Sequence, residues 1–181
     1  MKKRTKSRMM SLLLELLKDS KRSDRELAKV LGVSQPTVTR MRSRLVKEGM
    51  IREFTVIPDF VKMGYEILAI SCVKKKKTVT ELEEKAIEWM RKYPNIIFAA
   101  RAEGMGKNGV MISLHKSYTD FSNFVAGQLQ YWGEDVQDYD TMLISLRGII
   151  VKPLSLKYLD GKNNRHKFWG CTPFLSRRQN H

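Results

Sequence analysis

The sequence predicts an α+β protein in which a short helical domain precedes a layered domain of helices on a sheet. Three observations carry this prediction. The first fifty residues repeat apolar side chains at helical spacing and contain helix-capping residues. From Tyr65 onward, apolar strand-like runs and amphipathic helices follow one another in the order β-α-β-β-α-β. A connector at residues 58–64, which contains proline and glycine, separates the two patterns.

The N-terminal part carries the signals of two short helices after a longer one. Residues 9–18 place leucine and methionine on one face of a first helix. Ser23 and Glu26 have the spacing of a capping box, which starts a second helix, and Gly32 ends that helix. Two helices joined through a glycine turn, the second of them basic, form the helix-turn-helix arrangement of DNA-binding domains. A plain three-helix bundle is the alternative.

The third predicted helix, residues 34–49, is the candidate reader of nucleic acid. Ser34 suits its N-cap, Pro36 its first turn and Gly49 its end. Its apolar residues recur at helical spacing and should face inward: Val38, Met41 and Leu45. The other positions offer polar and guanidinium groups, which suit the base edges and phosphates of a DNA major groove. We predict that the base readers are Gln35, Thr37, Thr39 and Arg40, and that the phosphate contacts are Arg42, Ser43, Arg44 and Lys47.

The charge balance favours a polyanionic partner. The 181-residue chain has 34 lysines and arginines against 19 acidic residues, which gives a formal charge of +15. Such a balance is typical of proteins that bind nucleic acid or an anionic membrane surface. Five of the first eight residues are basic, and we expect them to form a mobile arm that either lies along phosphates or is simply solvated.

Cysteine usage and hydropathy exclude several classes of protein. Cys72 and Cys171 lie far apart without zinc-ligand spacing, so neither a metal site nor a disulfide framework is predicted. The apolar run at residues 12–17 is too short to span a membrane, and no signal-peptide cleavage site follows it. We therefore expect a cytoplasmic protein without a cofactor or a membrane partner.

The second part predicts a ferredoxin-like sandwich. Strands are expected at residues 65–73, 96–102 and 109–115, and residues 137–146 and 149–156 form one or two further strands. Helices are expected at residues 78–93 and after Ser117, the latter along Phe121, Phe124, Val125 and Leu129. This order gives an antiparallel sheet with two helices on one face. A partner subunit on the other face would suit a protein that reads two DNA half-sites. A further strand at residues 50–57 would form a wing beside the third helix.

Short motifs in the first half of the chain carry a family resemblance. They are Arg25-Glu26-Leu27-Ala28, Leu31-Gly32-Val33-Ser34, Thr37-Val38-Thr39-Arg40, Arg44-Leu45, Glu48-Gly49 with Ile51, Ile57-Pro58 and Met63-Gly64-Tyr65. With them, residues 12–156 resemble the Lrp/AsnC (leucine-responsive, feast/famine) family of prokaryotic transcriptional regulators. The resemblance implies a homodimer or higher oligomer built through the sandwich domains. It also implies binding to promoter DNA under the control of an amino acid or another small molecule.

The sequence departs from that family at the turn before the third sandwich strand. Members usually carry Gly-acid-aromatic-acid there, and these carboxylates bind an amino-acid ammonium group. Residues 103–109 here read Glu-Gly-Met-Gly-Lys-Asn-Gly, so the candidate effector residues are Gly104, Gly106, Lys107 and Asn108. We expect either a different, anionic effector or none, and glycine with asparagine also suits a long hairpin turn.

Two other functions stay open beside a non-enzymatic regulator. Sirohaem decarboxylases look like this family, and Arg101, Asn108 and His115 could pair with carboxylates or donate a proton near the same turn. A chromatin-like protein that packs DNA without reading its sequence would be equally basic.

These interpretations divide the chain into four segments. They are a DNA-binding domain at residues 1–57, the connector at 58–64, a dimerisation and effector domain at 65–159 and a tail at 160–181. The tail mixes basic residues with Phe168, Trp169 and Phe174. It could bind nucleic acid by charge and stacking, or it could dock its aromatic residues in an apolar groove.

Overall fold

The computed structural model describes residues 2–76 and 79–160, and the side chains within residues 7–76 and 84–159. Two units are distinguished. Residues up to Ile57 form one unit together with the segment that starts at Val151, and Pro58–Ile150 form the other. The segment at 151–159 thus groups with the helices, whereas the sequence assigned it to the sandwich. The aromatic residues of the tail lie outside the described residues.

Three helices form the first unit: α1 (Lys2–Lys18), α2 (Asp24–Leu31) and α3 (Gln35–Lys47). Their apolar faces meet in one buried core, which contains Met9, Leu12, Leu16, Leu27, Ala28, Val38, Met41 and Leu45. These are the positions that recur at helical spacing in the sequence. The periodicity therefore correctly predicts which face each helix buries.

The turn between α2 and α3 is fixed by local chemistry. The Glu26 backbone N–H donates to Ser23 Oγ at 3.3 Å, and the Ser23 backbone N–H donates to Glu26 Oε2 at 2.8 Å. Ser23 Oγ also donates to Glu26 Oε2 at 2.7 Å. This bond first, and then the one from the Ser23 backbone N–H, lowers the pKa of the Glu26 carboxyl, because both stabilise its ionised form. Gly32 follows α2 with φ of 62°, a conformation that residues with a Cβ rarely adopt. The predicted capping box and glycine turn are both confirmed.

Three segments differ from the sequence prediction. Helix α1 already begins at Lys2, so the first residues are not an irregular arm. Residues 50–57 contain no strand, because no second strand lies in the described part of the first unit to pair with them. Phe54 and Val56 are exposed there. Residues 149–156 form no strand either; a 3-10 helix, Leu156–Asp160, follows and lies against α1.

Four strands and two helices form the second unit: β1 (Ile67–Lys75), α4 (Val79–Lys92), β2 (Ile96–Gly104), β3 (Lys107–His115), α5 (Tyr118–Trp132) and β4 (Val136–Ser145). The strands pair antiparallel in the order β2-β3-β1-β4. The predicted ferredoxin-like sandwich is confirmed.

Aromatic side chains fill the space between the helices and the sheet. Trp89 of α4 is 2% exposed, and its ring centroid lies 5.4 Å from that of Phe124 and 6.1 Å from that of Trp132. The buried stripe of α5 runs through Phe121, Phe124, Gln128 and Trp132. Leu129, one of the apolar residues from which this helix was predicted, is 55% exposed, and the amide of Gln128 takes the inward position.

The other face of the sheet carries a row of apolar side chains. The two helices pack on the face that carries Met111, so alternate residues point away from them. Strand pairing aligns four of these residues across all four strands: Phe98, Ile112, Ile70 and Met142. Phe98 is 51% and Met142 66% exposed. No described element of this unit covers the row.

Candidate functional site

Helix α3 separates its residues into a buried and an exposed stripe. Val38, Met41 and Leu45 are buried in the core of the first unit. Arg40, Ser43 and Lys47 are spaced by three and four residues, so they share one stripe on the opposite side. All three are exposed. The helix therefore presents a guanidinium, a hydroxyl and an ammonium group away from the core.

Asp24 holds α3 against the start of α2. Arg42 Nε donates to Asp24 Oδ1 at 2.9 Å, and Thr39 Oγ1 donates to Asp24 Oδ2 at 2.6 Å. Arg42 Nη2 also donates to the backbone oxygen of Arg22 at 3.0 Å. The Asp24 and Arg42 side chains are only 20% and 24% exposed. Arg42, predicted as a phosphate contact, is thus occupied in holding two helices together.

Two other predicted DNA contacts have partners that cap the two ends of α3. The hydroxyl groups of Thr37 and Ser34 lie 2.8 Å apart in a hydrogen bond. Arg44 Nε donates at 2.6 Å to Oε1 of Glu48, the residue directly after α3. Both groups of this ion pair are substantially exposed, and such a pair contributes little stability in water. Arg44 can therefore exchange Glu48 for an external anion at low cost.

The remaining predicted contacts are available to a ligand. The side chains of Gln35, Arg40, Ser43 and Lys47 are exposed and make no hydrogen bond or ion pair within the described part of the chain. Guanidinium and amide groups match base edges in two-point hydrogen bonds, and an ammonium group suits a phosphate. These four side chains can therefore contact both parts of a DNA duplex.

Sequence reasoning missed the role of Asp24. An acidic residue in the first turn of a helix is usually read as a partner of the helix dipole. Its contact with Arg42 joins residues 18 positions apart on different helices, which no periodic pattern reports. The sequence offers one signal for this contact: Asp24 is the first residue of a helix, and Arg42 lies beside the buried stripe of the next helix.

The comparisons with known proteins agree with this geometry. A family model described as winged helix-turn-helix DNA-binding matches residues 9–52. An uncharacterised HTH-type transcriptional regulator of Pyrococcus furiosus, PF1734, is 32% identical over 127 residues, which cover 70% of this chain and 80% of the relative. The HTH-type regulator LrpC of Bacillus subtilis is 32% identical over 95 residues, which cover 52% of this chain and 64% of LrpC. The chain belongs to the Lrp/AsnC family. It is a DNA-binding transcriptional regulator.

Solved structures share the fold of this Lrp/AsnC regulator. The structure of B. subtilis LrpC superposes with a TM-score of 0.63 at 25% identity, covering 80% of this chain and 96% of LrpC. A transcriptional regulator of Neisseria meningitidis, NMB0573, was solved as an L-Met complex. It superposes with a TM-score of 0.71 at 17% identity, covering 83% of this chain and 93% of NMB0573. At that identity the likeness is one of fold.

The turn at the candidate effector residues is a tight hairpin rather than a long loop. Gly104 pairs with Lys107 across the turn, so only Met105 and Gly106 lie between β2 and β3. Both have positive φ, 49° and 70°, as a two-residue turn of this hand requires. Asn108 hydrogen-bonds the backbone of Lys75 twice, through Oδ1 at 2.8 Å and Nδ2 at 3.0 Å. Asn108 thus extends the pairing between β1 and β3.

Lys107 of the same turn is held by two carboxylates. Its side chain is only 6% exposed, and Nζ contacts Asp138 and lies 2.7 Å from Asp140 Oδ2. The hydrogen bonds that Lys107 donates, to Asp138 first and then to Asp140, raise the pKa of Lys107. The bond from Lys107 in turn lowers the pKa of Asp138. The cation expected to receive an anionic effector is therefore already neutralised within the sheet.

The three residues considered for decarboxylase chemistry do not form one site. Asn108 and His115 lie at opposite ends of β3, seven residues or about 23 Å apart. His115 is fully buried between Phe121 and Phe124, and its Nε2 lies 2.8 Å from Ser113 Oγ in a hydrogen bond. Burial lowers the pKa of this imidazole. Arg101 pairs with Gly109, near the Asn108 end.

Two further features bear on the classes of protein considered. In residues 2–76 and 79–160, no three His, Cys, Asp or Glu residues lie together as a metal-binding group. None of the helices in that part of the chain has the length and apolarity needed to cross a membrane.

Proposed function

We propose that this regulator binds promoter DNA as a homodimer or higher oligomer, with one α3 helix in the major groove at each half-site. The observation that carries the proposal is the exposed stripe of Arg40, Ser43 and Lys47 opposite the buried stripe of α3. The hydrogen bonds from Thr39 and Arg42 to Asp24 support it, because they fix this stripe relative to α2 before DNA arrives. A preorganised reader loses less conformational freedom on binding.

The free side chains divide into two roles. Arg40 and Gln35 read bases, since arginine matches guanine and glutamine matches adenine in two-point hydrogen bonds. Ser43 and Lys47 contact phosphates, which fix the register of the helix without reading sequence. Arg44 also contacts a phosphate once its ion pair with Glu48 breaks. Thr37, Thr39 and Arg42 hold the helix and do not contact DNA directly.

The open face of the sheet supports the homodimer. The row of Phe98, Ile112, Ile70 and Met142 crosses the whole sheet, and its two outer members are more than half exposed. Apolar rows of this extent are usually buried by a partner. A second copy offers an identical row, and a two-fold axis then relates the two α3 helices as a two-half-site operator needs.

Selection of bound fragments from genomic DNA tests the DNA-reading part of the proposal. The full-length protein is mixed with sheared genomic DNA, and the retained fragments are sequenced. We expect a shared motif with two-fold symmetry, whose half-sites are one or more helical turns apart. Fragments without a common motif, together with equal affinity for a scrambled duplex, would contradict sequence reading and favour a chromatin-like packing protein.

Light scattering tests the dimer. Met142→Lys places a charge in the row, whereas Met105→Lys changes an 87% exposed residue at the hairpin tip. We expect the wild type and Met105→Lys to have at least the mass of a dimer, and Met142→Lys to have the mass of a monomer. A monomeric wild type would contradict the proposed assembly.

A further inference from the structure

A cavity of about 330 Å³ lies inside the second unit, between its helices and the sheet. Most of its wall is apolar and includes Val73, Met90, Met111 and Trp132. This volume is at the lower end of the range found for small-molecule sites, which are also mostly apolar with a few placed polar groups. The cavity is built from residues of α4, α5 and the strands, so it does not depend on the hairpin at Met105.

Two buried polar atoms in the wall lack a hydrogen-bond partner. They are Trp89 Nε1, a donor, and Gln128 Oε1, an acceptor. Both residues line the cavity, and they are 2% and 6% exposed. Buried polar atoms are almost always paired in folded proteins, so each unpaired one needs an explanation. A ligand hydroxyl group in the cavity would supply the missing partner, because it can accept from Trp89 Nε1–H and donate to Gln128 Oε1.

The charged groups of the wall are both cationic. Arg101 is exposed on β2, and Lys75 Nζ lies 5.2 Å from the centre of the Trp132 ring. No carboxylate is among the described residues that line the cavity. A cation at the rim of an apolar pocket favours a ligand whose exposed end is anionic.

We propose that this cavity binds a small organic carboxylate with an aromatic or similar apolar body. The apolar body lies among the aromatic and aliphatic side chains, and the carboxylate faces Arg101. A hydroxyl or N–H group of the ligand donates a hydrogen bond to Gln128 Oε1, and a hydroxyl oxygen can also accept one from Trp89 Nε1–H. The site lies within one subunit. The inference stands on the cavity alone and does not require that the protein read DNA in the way proposed above.

Three related compounds test the assignment by calorimetric titration of the full-length protein. The probe is 3-(4-hydroxyphenyl)propionate, which has the ring, the hydroxyl group and the carboxylate. 3-Phenylpropionate lacks the hydroxyl group, and tyramine carries an ammonium group in place of the carboxylate. We expect saturable binding of the probe, about tenfold weaker binding of 3-phenylpropionate and no binding of tyramine.

Two variants locate the binding within the cavity. Gln128→Leu replaces the unpaired amide by an apolar side chain of similar size. We expect it to raise the Tm, to weaken the hydroxylated probe about tenfold and to leave 3-phenylpropionate unchanged. Arg101→Gln should weaken both carboxylates. Arg91→Gln, which removes an exposed charge from α4 outside the cavity, is the matched control.

If Gln128→Leu raises the Tm, the weaker binding of the probe cannot be caused by unfolding of the variant and must come from the lost contact. The proposal is overturned if the probe shows no saturable binding, or if tyramine binds as tightly as the two carboxylates. It is also overturned if binding of the probe is the same in the wild type, Gln128→Leu and Arg101→Gln.

Discussion

Asp24 accepts a hydrogen bond from Arg42 Nε at 2.9 Å and so joins the first turn of α2 to the middle of α3. The pair is three-quarters buried, which protects it from water and salt. Its position means that the exposed stripe of α3 is oriented by a side-chain contact as well as by the core. Substitution of Asp24 or Arg42 should therefore lower the stability of the helical unit, and any loss of DNA binding should follow from that lower stability.

A double-mutant cycle measures this contact. Asp24→Ala and Arg42→Ala should each lower the free energy of unfolding by about 1–2 kcal/mol, because each leaves a partly buried charged group unpaired. The double variant should be no less stable than the less stable of the two single variants. The measurement is urea denaturation followed by circular dichroism. Arg44→Ala, which breaks the exposed pair with Glu48, should change stability by less than about 0.5 kcal/mol. Strictly additive effects would show that the two residues act independently.

Arg40→Ala should weaken binding to the selected operator by about 1–3 kcal/mol and leave binding to a scrambled duplex less affected. The reason is that Arg40 is exposed on the stripe opposite the core, with no partner in the described chain. Fluorescence anisotropy with both duplexes at one salt concentration gives the two affinities. Unchanged discrimination between the duplexes would remove Arg40 from the base readers.

Lys47→Ala should weaken binding to every duplex by a similar factor. Lys47 lies near the end of the exposed stripe, and a lysine at a phosphate releases a counterion without reading a base. The slope of log affinity against log salt concentration should become less steep by about 0.9. Arg91→Ala, in the other unit, is the charge-matched control. A slope identical to that of the wild type would place Lys47 away from the phosphates.

Stability should depend on pH through His115. Burial, the larger cause, lowers the pKa of this imidazole, and the charge of Asp120 acts in the opposite direction. His115 therefore binds a proton near pH 6.5 in the unfolded chain, but only at a lower pH in the folded chain. The free energy of unfolding consequently falls as the pH falls below about 6.5. His115→Gln should flatten this dependence between pH 5 and 7 in chemical denaturation, whereas Lys116→Gln should not. Equal slopes in the wild type and His115→Gln would rule out His115 as the source.

Local signals in the sequence predicted most of the fold. The capping box at Ser23 and the glycine at position 32 define α2 because both act within four residues of chain. The strands were found because apolar and β-branched side chains alternate along them. Residues 50–57 have the same composition but no strand beside them, and pairing is a property of two segments rather than of one.

The contacts that define the candidate sites were harder to predict. The hairpin at Met105 is tighter than expected because a methionine adopts a positive φ there. Residues with a Cβ rarely adopt this conformation, so the sequence does not predict it. Gln128 occupies a core position on α5, although hydrophobic periodicity assigns polar residues to the surface. The sequence does not show that Thr39 and Arg42 hydrogen-bond Asp24, because this link depends on how α2 and α3 pack.

The central position of β1 in the sheet has a consequence for how the chain is made. Ser71 of β1 pairs with Thr141 of β4, 70 residues later in the sequence. At a synthesis rate of about 5–20 residues per second, β4 leaves the ribosome about 4–14 s after β1. The apolar row of the sheet is incomplete during that interval, while α1, α2 and α3 can already form their core. During those seconds the unpaired edge of β1 and the incomplete apolar row are the parts of the nascent second unit most exposed to aggregation.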